Sequence, residues 1–294
     1  MMKTQKGMAI ITVMLIIALM TILAVAGQRE WVNAMRRVDT LQFQQQARWT
    51  LLDAEKILLK RVTIMNSNEP VQKIQLEDLQ LSYRWRDRQS CFNVNALGAV
   101  APPHEGTTHP PPVAHRIFLR LLERFDVKSE ERIELLNMIR RYINPNEDYK
   151  WAHLSDKTEL RALTEQHWSK LSTILCALPD NALRININAI SDQEIPLMVA
   201  VLGNVLDDVE VSRLFKQRPE NGWTNTDDFI TLLPETAKSA VSDLQSVAVT
   251  TSQHWEFMAW IADEKRFAAI RSQFVHDNGL FSLQHRQYGV SDAP

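Results

Sequence analysis

The sequence predicts an α+β fold: a long N-terminal helix runs from a membrane segment into an antiparallel sheet, and a large all-α block interrupts the sheet. Three observations predict it. Met8 to Ala26 carries no charge. Beyond it, apolar residues keep recurring at helical spacing, and the first proline is Pro70. Finally, stretches that alternate apolar and polar residues flank a helix-rich middle on both sides.

Composition sets the limits. The chain has 294 residues, 45% hydrophobic and 23% charged, which is ordinary globular composition and enough for two modest domains. Lys and Arg number 33 against 35 Asp and Glu, so no bulk positive field favours a nucleic-acid partner. The two cysteines, Cys91 and Cys176, are too few for a disulfide framework or a four-thiolate zinc site but enough for one bridge.

The first element is the helix. The uncharged run would rise about 28 Å, close to the hydrocarbon thickness of a bilayer. Lys3 and Lys6 precede it, and Arg29, Glu30, Arg36, Arg37 and Asp39 follow it, which favours a cytoplasmic N-terminus. Ala24-Val25-Ala26 would also suit a cleaved signal peptide, and a plain bitopic anchor with a rigid stalk is a further alternative. Against cleavage there, a stripe of Trp31, Met35, Val38, Phe43, Ala47, Leu51, Ala54, Leu58 and Val62 continues the pattern. One helix is expected from about Met8 to Ile64, half in lipid and half amphipathic.

Next, Leu79 to Arg86 and Cys91 to Ala96 read as strands, and Ala101 to Pro112 as a proline-rich break at a domain boundary. Helices are expected over Val113 to Phe125, Glu130 to Tyr142, the capping box Ser191 to Glu194 continuing to Val201, Val209 to Gln217, and Thr226 to Leu233. Asp156 with Glu159 reads as a further cap. An internal repeat organises this block. Phe92-Asn93-Val94-Asn95-Ala96 returns as Ile185-Asn186-Ile187-Asn188-Ala189. Trp151 with Thr158-Glu159-Leu160 pairs with Trp223 and Asp228-Phe229-Ile230. The second copy is similar to helix-hairpin-helix modules, many of which bind DNA. Its turn, Leu202 to Asp208, has one glycine and two carboxylates where phosphate would sit, which favours packing or partner docking. From Val247 strands resume, with Asp277-Asn278-Gly279 as a hairpin turn.

Lys6-Gly7 directly before an uncharged segment and a long continuous helix resembles prepilins and pseudopilins. That resemblance implies leader cleavage between Gly7 and Met8 by a prepilin peptidase, and methylation of the new N-terminus, although Met8 replaces the usual phenylalanine. The fifth mature position, a glutamate in most members, is Thr12. A carboxylate at that depth is costly unless it meets a positive group, in the filament model the N-terminal ammonium of an adjoining subunit. A subunit with Thr12 cannot make that bond, which suits a position at the end of a filament.

Thr12, the run from Ser90 to Leu97, Cys176 to Asp180 and the Asn-x-Asn repeat together resemble minor pseudopilin K of type II secretion systems over essentially the full length. The resemblance implies a pilin-like domain interrupted by a large all-α domain, which the internal repeat resolves into two helix-hairpin-like modules. It divides the chain into a leader (1–7), a transmembrane half-helix (8–26), a first pilin-like part (27–100), the inserted helical domain (101–247) and closing strands (248–294). It also implies a single-pass inner-membrane protein with its bulk in the periplasm, and a tip role with pseudopilins I and J in exporting folded proteins. A Cys91–Cys176 disulfide is suggested by the resemblance and by the periplasm together.

Some family members bind calcium at an acidic loop. The corresponding stretch, Asn144-Pro145-Asn146-Glu147-Asp148, has only two carboxylates, so no cofactor is expected, with calcium at this loop as the alternative. His104, His109 and His115 read as exposed loop residues, and no catalytic motif stands out, so the chain is read as a non-enzyme. The alternatives are a type IV pilus minor pilin and a membrane-tethered periplasmic DNA-binding protein.

Overall fold

The computed structural model describes residues 5–60, 71–76, 79–98, 111–145, 153–262 and 266–289. Helix α1 spans Gln5–Leu59, so it begins before Met8 and ends short of Ile64; residues 61–64 lie outside the described residues. Its apolar stripe divides in two. Phe43, Ala47, Leu51, Ala54 and Leu58 are buried, whereas Trp31, Met35 and Val38 stand exposed with the uncharged segment below them. The helix is thus long and apolar enough to cross a membrane at one end and amphipathic at the other.

The buried stripe packs on a five-stranded antiparallel sheet made of β1 (Gln72–Leu76), β2 (Leu79–Asp87), β7 (His254–Ala262), β8 (Phe267–Asp277) and β9 (Leu280–Tyr288), in the order β1-β2-β7-β8-β9. Alternation sends Leu81, Trp85, Phe257, Ala259, Ile261, Ile270 and Phe274 toward α1, while Met258, Trp260 and Ala269 form a small cluster of their own. The β8–β9 turn needs left-handed backbone at both central residues, and Asn278 (φ +48°) and Gly279 (φ +79°) supply it. Strand β1 went unread in the sequence because it is an edge strand with only two apolar residues, Ile74 and Leu76.

Between β2 and β7 lies the helical unit. The expected strand from Cys91 to Ala96 is only Phe92–Asn93 (β3), and Val94–Gly98 turns into a 3-10 helix. The cause is local: the Asn93 side-chain oxygen accepts from the Asn95 N–H at 3.2 Å and closes a turn. The unit contains two modules of one design. The first runs β3, α2 (Val113–Arg124), α3 (Ser129–Ile143), α4 (Trp168–Ile174) and β4 (Leu175–Cys176), with β3 and β4 paired parallel. The second runs β5 (Ile185–Asn186), α5 (Ile195–Val201), α6 (Asp208–Phe215), α7 (Thr226–Ile230), α8 (Val241–Val247) and β6 (Ala248–Val249), with β5 and β6 again parallel. Phe92, Val94, Ala96 and Leu97 already belong to the core of this unit, so the chain changes cores between Asp87 and Phe92. The expected boundary at residue 101 lies downstream of that change.

The contacts of β8 fix where the unit attaches. Arg266, just before β8, stacks over Phe43 at 4.3 Å, and Ser272 bonds Glu55 further along. Strand β8 therefore climbs α1 away from the apolar end, and its last residues pair with His254, the first residue of β7. Asp87 pairs with Trp255 at the same end. Both connections to the helical unit leave the sheet at the end farthest from the apolar segment of α1.

Candidate functional site

Gly7 and Met8 lie within α1, two and three residues after its first residue. Thr12 sits on the exposed apolar part of the same helix. Cys91 and Cys176 are joined by a disulfide with Cα atoms 5.8 Å apart. It sits where β3 meets β4, the start and finish of the first module.

The asparagine repeat closes each module. The Asn95 oxygen accepts from Leu154 N–H at 2.9 Å, and its amide donates to the carbonyls of Leu154 (3.0 Å) and Leu178 (2.7 Å). The Asn188 oxygen accepts from Trp223 N–H at 2.8 Å, and its amide donates to the carbonyls of Trp223 and Thr250, both at 3.0 Å. Two residues beyond each clamped residue stands a capping box, Asp156 with Glu159 and Asn225 with Asp228. Leu154 is therefore the counterpart of Trp223, three positions from the Trp151 that the sequence suggested, and Leu160 is that of Phe229, one position from the suggested Ile230. Trp151 lies outside the described residues.

The hairpin turn of the second module bends through Gly203 (φ +77°) and Asn204 (φ +57°). The Gly203 and Asn204 N–H groups donate to the carbonyls of Ala200 and Val199, so these amides serve the helix end. Asp207 caps α6, and Asp208 pairs with Arg124 of the first module. The turn is a module-to-module contact with acidic character.

Sequence reasoning missed the polar joint between sheet and helical unit. Asp87 is fully buried and accepts from Gln89 N–H (2.7 Å), the Asn186 amide (2.7 Å) and the Ser252 hydroxyl. Burial pushes its carboxyl above the usual range, against the pull of these bonds. Arg88 donates to Gln273 (2.6 Å) and the Ala177 carbonyl (3.0 Å), and His254 meets Asp180 at 2.8 Å. The signal was present: each Asn-x-Asn copy has a first asparagine free to reach outside its own turn, and Asn186 uses that reach to hold Asp87.

His115 corrects an expectation. It is buried in α2, with Nε2 3.0 Å from the Leu97 carbonyl, and burial lowers its pKa. His104, His109 and Asn146 to Asp148 lie outside the described residues. Among the described residues no group of three or more His, Cys, Asp or Glu is placed to hold a metal, and the Asn144 amide donates to the Gly98 carbonyl at 3.2 Å.

Residues 185–252 match the family model described as type II secretion system (T2SS), protein K. That stretch begins at β5 and ends just beyond β6, so it coincides with the second module. Type II secretion system protein K of Aeromonas hydrophila is 26% identical, covering 98% of each chain. The protein of the same name from Pectobacterium carotovorum is 26% identical, covering 97% of each. Over nearly its whole length the chain is similar to type II secretion system protein K. A solved chain from the GspK-GspI-GspJ complex of enterotoxigenic Escherichia coli has the same fold, with a TM-score of 0.70 and 23% identity over 87% of this chain and 100% of that one. In this chain the long helix, the clamps and the two modules form one continuous design: α1 carries the sheet, and the sheet carries the helical unit at its far end.

Proposed function

We propose that this chain is a minor pseudopilin at the tip of the type II secretion pseudopilus, where it helps to start assembly for export of folded proteins from the periplasm. The observation that carries this reading is the attachment of the helical unit at the sheet end remote from the apolar part of α1. A subunit with that bulk above its sheet suits a position with no further layer stacked on it. Thr12 points the same way, since it brings no carboxylate for a neighbour's N-terminal ammonium. The exposed Trp31, Met35 and Val38 give the lower helix an apolar face for neighbouring subunits in the filament.

On this reading residues 1–7 are removed by the prepilin peptidase, Met8 becomes the N-terminus, and α1 crosses the inner membrane once with the bulk of the chain in the periplasm. The sheet-bearing part ends near Asp87 and resumes at His254, with the helical unit between them. The natural partners are pseudopilins of the I and J types, in keeping with the GspK-GspI-GspJ complex of enterotoxigenic Escherichia coli. The role is structural rather than enzymatic.

N-terminal mass analysis of the membrane-extracted protein tests the leader, with a chain beginning at Met8 expected; processing at Ala26, or none, defeats the reading. Co-expression with I- and J-type pseudopilins tests the tip role. A ternary complex is expected, and a chain that stays monomeric in their presence argues against it.

A further inference from the structure

A cavity of about 210 Å³ opens at the joint, beside the Cys91–Cys176 disulfide, and four cationic side chains line it: Arg86, Arg88, Lys157 and Arg271. They come from both units, Arg86, Arg88 and Arg271 from the sheet side and Lys157 from the first module. Two acids line the same cavity. Asp87 is turned into the joint toward Ser252 and Asn186, and Glu256 lies 3.8 Å from Arg271. Arg88 and Lys157 bond neutral groups. Arg88 bonds the Gln273 side-chain oxygen and the Ala177 carbonyl, and Lys157 donates to the Ser172 carbonyl. Among the described residues, Arg86 makes no side-chain hydrogen bond or ion pair.

Carrying like charges into a shared, half-enclosed space is costly. Burial lowers the Arg88 and Lys157 pKa values; neighbouring cations add to the effect, and the carboxylates of Glu256 and Asp156 oppose it without reversing it. An anion in the cavity would remove that repulsion and accept charge-assisted hydrogen bonds from both units at once.

We infer that this cavity is a binding site for a small multivalent oxyanion of the phosphate class, held between the sheet and the first helical module by Arg86, Arg88 and Lys157. The bound ion fastens the two units together beside the disulfide. Loss of the ion loosens the joint without breaking either core.

The test uses full-length protein in detergent, titrated with inorganic phosphate against chloride at matched ionic strength. Phosphate is expected to raise the thermal midpoint by several degrees in a saturable way, and calorimetric titration should give one site. Arg86→Gln and Lys157→Gln, at positions that are not fully buried, should fold and weaken phosphate binding about tenfold or more. Equal responses to phosphate and chloride would overturn the site, as would unchanged phosphate binding in both variants. Succinate serves as a carboxylate arm. Saturable binding of succinate with none of phosphate would overturn the assignment to the phosphate class.

Discussion

Asn188 holds Trp223 by both of its backbone groups, accepting from its N–H at 2.8 Å and donating to its carbonyl at 3.0 Å. One side chain thereby satisfies both backbone groups of one residue, as a paired strand would. Trp223 packs edge-on to Phe215 and Phe229, so the clamp also sets the aromatic centre of the second module. Asn188→Ala leaves these backbone groups without their partners. The expected loss is about 2 to 4 kcal/mol in chemical unfolding, and Asn95→Ala should behave alike in the first module.

Gly222 is coupled to the same asparagine. It has φ +76°, and a Cβ there would lie 2.8 Å from Asn188 Cγ. Gly222→Ala therefore meets backbone strain of about 1 kcal/mol plus a clash with the clamp. In an Asn188→Ala background the clash disappears and only the strain remains. A double-mutant cycle should give a coupling well above zero, and strict additivity would contradict the contact.

The disulfide closes a loop with a sequence separation of 85. In the chain-entropy model such a loop stabilises by about 4 to 5 kcal/mol, with measured values ranging lower. Replacing both Cys91 and Cys176 by Ser should lower stability by about 2 to 5 kcal/mol. It should also remove the sensitivity of the unfolding midpoint to dithiothreitol.

The long helix, the strands after His254 and the capping boxes at Asp156 and Ser191 were legible because each rests on local periodicity or local hydrogen bonding. Ser191 with Glu194 is one such case: side chain and backbone satisfy each other within four residues, whatever surrounds them. The joint was not legible in the same way. Nothing near Asp87 in sequence says that Asn186 and Ser252, remote along the chain, will approach it. Strand β3 misled for a related reason: Phe92 to Ala96 alternates like a strand, but the Asn93 side chain turns the backbone after two residues. Glu55 was overlooked because an acid beside an apolar stripe reads as an exposed flank, and its partners Ser272 and Arg286 come from the last two strands.

Glu55 and Arg286 should respond unequally to substitution. Glu55 has a side chain 3% exposed, whereas that of Arg286 is 26% exposed. Arg286→Met leaves a buried carboxylate with Ser272 as its remaining partner, and the expected cost is about 3 to 5 kcal/mol. Glu55→Gln keeps a bond to Ser272 within reach and leaves an arginine that can turn to water, so its cost should be smaller. Chemical unfolding of the two variants checks the order.

Asp243 links the two modules by accepting from Arg116 and Arg120, both on α2. Burial pushes its carboxyl upward, but the bonds from Arg116 and Arg120 outweigh it and hold the pKa below the ordinary carboxylate value. The unfolded chain then binds this proton at a higher pH than the folded one does. The stabilisation is complete above the ordinary carboxylate range and is lost as pH falls through the depressed folded value. Asp243→Asn should be less stable than the parent at neutral pH, and its stability should fall less steeply between pH about 5 and about 2. Parallel slopes for the two proteins in that window would mean that Asp243 does not carry the acid response of the module interface.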